Sequence, residues 1–163
     1  MTAADQRIEI NLAEQRLRLF EGGRAVMDMA VSTAKNGPGE TMNSECTPRG
    51  AHVIRAKIGA GQAAGTVFVG RRPTGEIYSS ELGRQYPGRD WILTRILWLS
   101  GLEPGRNRLG QVDTMRRYIY IHGTPDSVAL GVPGSRGCVR MRSQDIIALF
   151  ERVPARTRVE IVE

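Results

Sequence analysis

Lysine, histidine, cysteine and the aromatic residues are all scarce in this 163-residue chain, and each scarcity excludes something. The two cysteines, Cys46 and Cys138, could form one disulfide at most. A domain of this size buries enough surface to hold together without one, and a reducing cytosol would disfavour it. Zinc requires close ligand pairs of the C-x-x-C or H-x-x-x-H kind, and Cys46, His52, His122 and Cys138 are spaced wrongly for them. No metal or other cofactor is therefore expected. Apolar runs are short, so no membrane span is expected. The opening MTAADQRIEINL lacks the basic-then-apolar pattern of a secretory signal. As written, the chain is expected in the cytoplasm, or in the periplasm if an export segment has been cut away. Basic residues outnumber acidic ones, 23 to 17, yet only Lys35 and Lys57 are lysines, and the arginines are scattered rather than blocked. With aromatics at 6%, there is no basic stripe interleaved with stacking rings, so no nucleic-acid partner is expected.

What is present reads as a single, mostly β domain over residues 1–163. Ile8, Ile10 and Leu12 alternate with polar residues, and Leu17 and Leu19 repeat the pattern. EGGR at 21–24 is a turn, and AVMDMAVS supplies a third strand of a meander. KNGPGETMNSECTPRG, at 35–50, is too rich in turn formers for regular structure and reads as a long excursion. AHVIRAKI, TVFVG, WILTRILWL and YIYIH are further strands, the third by its Ile, Thr and Trp content. One helix follows, with Ser143 as its cap, Asp145 in its first turn, Ile146, Leu149, Phe150 and Val153 on one face, and Pro154 as its stop. TRVEIV closes the domain.

The chemistry lies in IHGTPDSVALGVPGSRGCVRM, at 121–141. A thiol attacks as thiolate, which a neighbouring base, cations and backbone N–H groups favour. Gly134 and Gly137 permit a tight turn around Cys138, and Arg136 and Arg140 add positive charge. His122, sixteen positions upstream at a strand end, is a base on a rigid mount. This reading expects Cys138 to alkylate near neutral pH much faster than Cys46, which reads as a small buried hydrophobe. His52 is then structural or superficial. Trp91, Trp98, Tyr118 and Tyr120 read as core or groove lining.

The same stretch resembles the catalytic signature of the L,D-transpeptidase (YkuD-type) family: a histidine, a loop, then Ser/Thr-His-Gly-Cys, an apolar residue and Arg or Asn. The N-terminal third is similar to that family's opening, with Gln-x-Leu at Gln15 to Leu17, Ser-Thr-x-Lys at Ser32 to Lys35 and Thr-Pro-x-Gly at Thr47 to Gly50. The resemblance implies a β-sandwich or barrel with one or two short helices. It also implies a peptidoglycan enzyme that cleaves the L,D bond before the terminal D-alanine of a tetrapeptide stem, and that carbapenems acylate. Cys138 would be the nucleophile and His122 the base. The Gly123 carbonyl would orient the imidazole, and the N–H groups of Gly137 and Cys138 would form the oxyanion hole. Ser135 would hold the loop beside the substrate. Arg140 is the candidate for a substrate carboxylate, with a fold-supporting ion pair as its alternative.

Arg136 departs from the family pattern, which has His there. Arg cannot act as a base, so His122 stands alone, and Arg136 either supports charge in the site or points to solvent. Hydrolysis by an L,D-carboxypeptidase in peptidoglycan recycling is favoured over a periplasmic cross-linking transpeptidase. A catalytically silent wall-peptide binding module is the remaining alternative.

Overall fold

The computed structural model describes residues 5–163. Its order is β1 (Gln6–Asn11), β2 (Arg16–Glu21), β3 (Arg24–Ala30), β4 (Gly50–Ile58), β5 (Thr66–Val69), β6 (Arg72–Ile77), α1 (Ser80–Gln85), β7 (Ile92–Gly101), β8 (Tyr120–Thr124), β9 (Val139–Arg142), α2 (Ser143–Arg152) and β10 (Arg158–Val162).

The strands form one sheet because their apolar residues fall at period two and so share a face. Ile8 and Ile10 in β1, Leu17 and Leu19 in β2, and Val159 and Ile161 in β10 are all buried. β1, β2 and β3 pair antiparallel as a meander. The second reversal, at 21–24, places Gly22 and Gly23 at φ 57 and 81, both left-handed, as a two-residue turn matched to strand twist demands. β10 then pairs parallel with β1 and antiparallel with β4.

β7 is the centre of the architecture. Its buried run, Leu93 to Leu97, marks a strand covered on both faces. It pairs with β4, β5 and β8, and β8 in turn pairs parallel with β9. The chain just after β3 then reaches the far side of β9: the Ser32 N–H donates to the Arg140 carbonyl at 3.0 Å, and the Arg140 N–H to that of Ser32 at 2.9 Å. This bridge joins the two ends of the curled sheet, giving the expected mostly β architecture with two short helices.

α2 packs against β7, β8 and β9 and buries Ile146, Leu149 and Phe150 in the main core. Fully burying one such side chain contributes roughly 1.5–3 kcal/mol. Truncating Ile121, fully buried in β8, to Ala is expected to cost about 2–5 kcal/mol and to loosen the strand that carries His122. The helix ends at Arg152 because Val153, preceding Pro154, is held extended at φ −114 and ψ 135. Ser143 is not its cap. Arg142 occupies that position without a side-chain bond, and the Ser143 hydroxyl is shared with Thr94 instead.

Three elements go beyond the sequence reading. β6, an edge strand containing Pro73, is largely exposed and has no apolar alternation. α1 buries no residue, although the Ser79 hydroxyl caps it by accepting from the Leu82 N–H at 3.1 Å. β9 is only four residues long. In addition, β8 begins at Tyr120 rather than Tyr118, because Tyr118 is left-handed at φ 57.

Candidate active site

The parallel pairing of β8 with β9 brings together the residues singled out from sequence. Ile121 lies opposite Val139 and His122 opposite Arg140. Alternation sends Ile121, Val139 and Met141 into the core, while Tyr120, His122, Cys138 and Arg140 open on a cleft of about 430 Å³. That volume lies within the range of small-ligand sites.

The other sequence motifs converge on the same loop. The Thr47 hydroxyl donates to the Gly137 carbonyl at 2.9 Å and accepts from the Ala34 N–H at 3.0 Å. The Lys35 N–H donates to the Ser135 carbonyl at 2.9 Å. Gln15 grips Thr33 twice, donating to its hydroxyl at 2.6 Å and accepting its N–H at 2.9 Å. Thr-Pro-x-Gly, Ser-Thr-x-Lys and Gln-x-Leu are thus the scaffold that holds the cysteine loop. Ser135 lies in that loop, donating to the Cys138 carbonyl at 2.6 Å and accepting the Gly137 N–H at 3.1 Å. Gly137 has φ 132, a conformation that favours glycine, and a Cβ there would meet the Cys46 carbonyl at 3.2 Å.

His122 is buried in the middle of β8, and its Nδ1 lies 2.6 Å from the Gly123 carbonyl. A carbonyl only accepts, so Nδ1 carries the proton and Nε2 keeps a lone pair. Burial pushes the imidazole below its ordinary range, and the Gly123 carbonyl and Asp90 partly offset this. Gly123 must be glycine. A Cβ would fall 2.6 Å from the Leu93 carbonyl and 3.1 Å from the Thr94 Cβ. Thr94 is itself fully buried at φ 76, unusual for a β-branched residue. It is held by the Gly65 N–H at 3.0 Å and by Ser143 Oγ at 2.6 Å. Such a position persists only where its surroundings over-determine it, and here it supports the residue that orients the base.

Cys138 differs from the sequence expectation. The residue is partly exposed, and its sulfur accepts the Tyr120 N–H at 3.3 Å and donates to the Tyr118 carbonyl at 3.3 Å. Burial pushes the thiol up to about 12, against a smaller lowering from the Tyr120 N–H. Asp90 raises it further, and Arg140 and Arg117 offset only part. The flanking arginines do not make a standing thiolate, because their charge is weaker than the loss of solvation. The thiol and the imidazole that line this cleft are therefore both neutral at rest.

Of the expected substrate cations, Arg140 donates to Asp90 at 3.3 Å and to the Gly134 carbonyl at 3.1 Å, the ion-pair arrangement. Arg136 is exposed at the rim, with a long hydrogen bond to the Gly88 carbonyl at 3.4 Å. Arg117 clasps the excursion at 35–50, donating to the Gly39 and Cys46 carbonyls and to Ser44 Oγ. Cys46 lies in that excursion, half-buried, with its sulfur near the Asn36 and Ser44 carbonyls. His52 is structural: fully buried, bonded to the Gly50 carbonyl and the Thr114 hydroxyl, and pushed down to about 4 by burial. Tyr118 and Tyr120 line the cleft, Trp98 packs edge-on against Tyr120 and tilted against Tyr118, and Trp91 packs with Val67 and Leu93. Sequence reasoning missed Arg71, Asp90, Thr94 and Arg117. The first two sit on the β5–β6 turn and the loop before β7, where no local pattern links them to the cysteine.

Known proteins supply the comparison. The family described as the YkuD L,D-transpeptidase catalytic domain matches residues 5–161. A segment of 47 residues is 47% identical to YbiS of Escherichia coli (strain K12), described as a probable L,D-transpeptidase, and covers 29% of this chain but 15% of that protein. L,D-transpeptidase 3 from Mycobacterium tuberculosis, solved with a faropenem-derived adduct, superposes with a TM-score of 0.60 at 15% identity, over 98% of this chain and 60% of that one. The LD transpeptidase LdtMt1, solved with imipenem, superposes with a TM-score of 0.58 at 15% identity, over 97% of this chain and 59% of that one. At these identities the superpositions show the fold alone, and the chain spans about three-fifths of those structures. With the match running through almost every residue described above, the chain belongs to the YkuD family of L,D-transpeptidase catalytic domains.

Proposed function

We propose that this domain is a cysteine acyl-transfer enzyme acting on peptidoglycan tetrapeptide stems, with water as its principal acceptor: an L,D-carboxypeptidase that converts tetrapeptide to tripeptide. The observation carrying the choice of acceptor is the charge of the cleft. Arg71, Arg117, Arg136 and Arg140 line it, against the single carboxylate of Asp90. An acceptor amine arrives as an ammonium ion, which this lining repels, whereas water is indifferent to it and a carboxylate-bearing donor is attracted.

In this reading Nε2 of His122 takes the thiol proton as Cys138 Sγ attacks the carbonyl before the terminal D-alanine. The S–C bond forms, the C–N bond breaks, and His122 returns the proton to the departing amine. Water, deprotonated by the same nitrogen, then attacks the thioester. The S–C bond breaks, releasing the tripeptide carboxylate and restoring the thiol. Cys138 and Gly137 supply the N–H groups for the oxyanion, the latter by exchanging its bond to Ser135 Oγ for one to the developing charge. The relatives solved with imipenem and a faropenem-derived adduct support acylation of Cys138 by a carbapenem.

The test is to incubate the enzyme with disaccharide tetrapeptide, with and without excess D-methionine, and separate the products by liquid chromatography. Tripeptide and free D-alanine are expected to dominate. Dimers or D-methionine adducts in excess of tripeptide would mean that the acyl-enzyme prefers amines.

A further inference from the structure

The four arginines of the cleft are not equivalent. Arg140 is paired with Asp90, and three oxygens of the 35–50 excursion occupy Arg117. Arg136 lies exposed at the rim. Among the described residues, Arg71 is held in place with no carboxylate partner and, unlike Arg117, gives only one hydrogen bond to oxygen. It sits at the tip of the β5–β6 hairpin, where Gly70 and Arg71 are both left-handed at φ 57 and 64. Its guanidinium lies 4.8 Å from the Trp98 ring centroid and 4.9 Å from that of Tyr118, and donates to the Tyr120 hydroxyl at 3.0 Å. A phenol satisfies one of five donors, and aromatic faces pre-orient the fork without neutralising it. This is a cation prepared for a planar anion.

Tyr120 also provides a measure of distance. Its backbone N–H meets Cys138 Sγ, and its phenol meets Arg71, so one tyrosine side chain separates nucleophile from guanidinium. One extended residue spans about 3.5 Å, and a charge-assisted hydrogen bond adds about 2.8 Å. Cys138 and Arg71 line the same cleft at the two ends of Tyr120, so a donor lying across that ring carries the carboxylate of its leaving residue toward Arg71. The geometry points to Arg71 as the residue that recognises the free C-terminal carboxylate of the leaving residue, making the domain selective for donors that end one residue after the cleaved bond. The assignment rests on the acyl-transfer reading above.

The test compares two donors, the tetrapeptide ending in D-alanine as the free acid and the same peptide ending in D-alaninamide, for the wild type, Arg71→Gln and Arg71→Lys. A hydrogen bond to a charged group is expected to give the wild type a preference for the acid of about 10- to 100-fold in kcat/KM. In Arg71→Gln this preference collapses to within about threefold, mainly through KM, and Arg71→Lys recovers part of it. Alkylation of Cys138 by iodoacetamide, which carries no carboxylate, proceeds at the same rate in all three. A wild-type preference near unity, or one that Arg71→Gln retains, would overturn the assignment while leaving the reaction intact. A changed alkylation rate would also overturn it, showing that Arg71 acts through Tyr120 on the sulfur. If the wild type turns over neither donor and no thioester forms on Cys138, the acyl-transfer reading fails and this assignment with it.

Discussion

Alkylation of Cys138 by iodoacetamide across pH measures the charge state of the resting site. Burial holds the thiol up to about 12. At pH 7 its thiolate fraction is then about one in 10⁵, against about 3% for an ordinary thiol with a pKa near 8.5. The more basic thiolate is the stronger nucleophile, and a Brønsted slope of about 0.4–0.5 recovers roughly one and a half of those three and a half orders of magnitude. Cys138 is therefore expected to react about a hundredfold more slowly than free cysteine at pH 7. The rate should climb tenfold per pH unit through pH 10 without a plateau. The assay is intact-mass labelling of a Cys46→Ser variant, in which Cys138 is the one remaining thiol. A plateau at or below pH 7 would refute the argument, because it would mean a thiolate–imidazolium pair already exists in the empty cleft. The sequence reading expected the opposite, a fast Cys138, from its flanking arginines. Carbapenem acylation at neutral pH is still expected, since His122 removes the proton as the bond forms rather than beforehand.

Cys138→Ala is expected to abolish turnover and His122→Ala to lower kcat/KM by about 10²–10⁴-fold; both should fold normally by circular dichroism, and Cys46→Ala should remain active. An inactive Cys46→Ala beside a normal Cys138→Ala would reverse the assignment. Gly123→Ala forces a Cβ to 2.6 Å from the Leu93 carbonyl. The overpacking is expected to cost about 1–3 kcal/mol, a Tm decrease of about 2–12 °C by calorimetry, with activity falling further than stability because the base moves. His52, pushed from 6.5 down to about 4, stays neutral in the fold while the unfolded chain takes up its proton. The stability this confers is present above pH 6.5 and lost as pH falls through about 4. Its full size is about 3 kcal/mol. Denaturant unfolding between pH 7 and 4 checks this, and His52→Gln should flatten the slope.

Much of the fold was legible because core strands announce themselves by alternation. Ile8 and Ile10, Leu17 and Leu19, and the buried run of β7 all lie in strands where the pattern placed them. β6 and α1 escaped because they bury little, and a segment that covers no core carries no periodic signal. The site divides in the same way. His122 and Cys138 stood out by residue type and by the glycines between them. Arg71 and Asp90 come from elements 47 or more residues away from Cys138, and their meeting in the cleft is a product of tertiary pairing that no local pattern encodes. The charge of the thiol was illegible for a related reason: neighbours in sequence suggested cations, whereas solvation is set by everything packed around the sulfur.

The spacing of base and nucleophile is a property of the sheet. Because Ile121 faces Val139 and His122 faces Arg140 in parallel register, the relation between the two reactive side chains is set by the strands and by the short turn at Ser135–Gly137, and the exposed loop before that turn does not fix it. Residues 126–134, mostly exposed, are tied back chiefly through Gly131 and Gly134, whose N–H groups donate to the Val31 and Thr33 carbonyls. The entropy of closing such a loop rises only logarithmically with its length. Natural variation or deliberate grafting can therefore lengthen, shorten or rewrite this segment, presenting new surface at the mouth of the cleft, while the machinery behind it keeps its alignment. The fold separates what must be conserved from what is free to diversify, and places the boundary between them at the edges of two short strands.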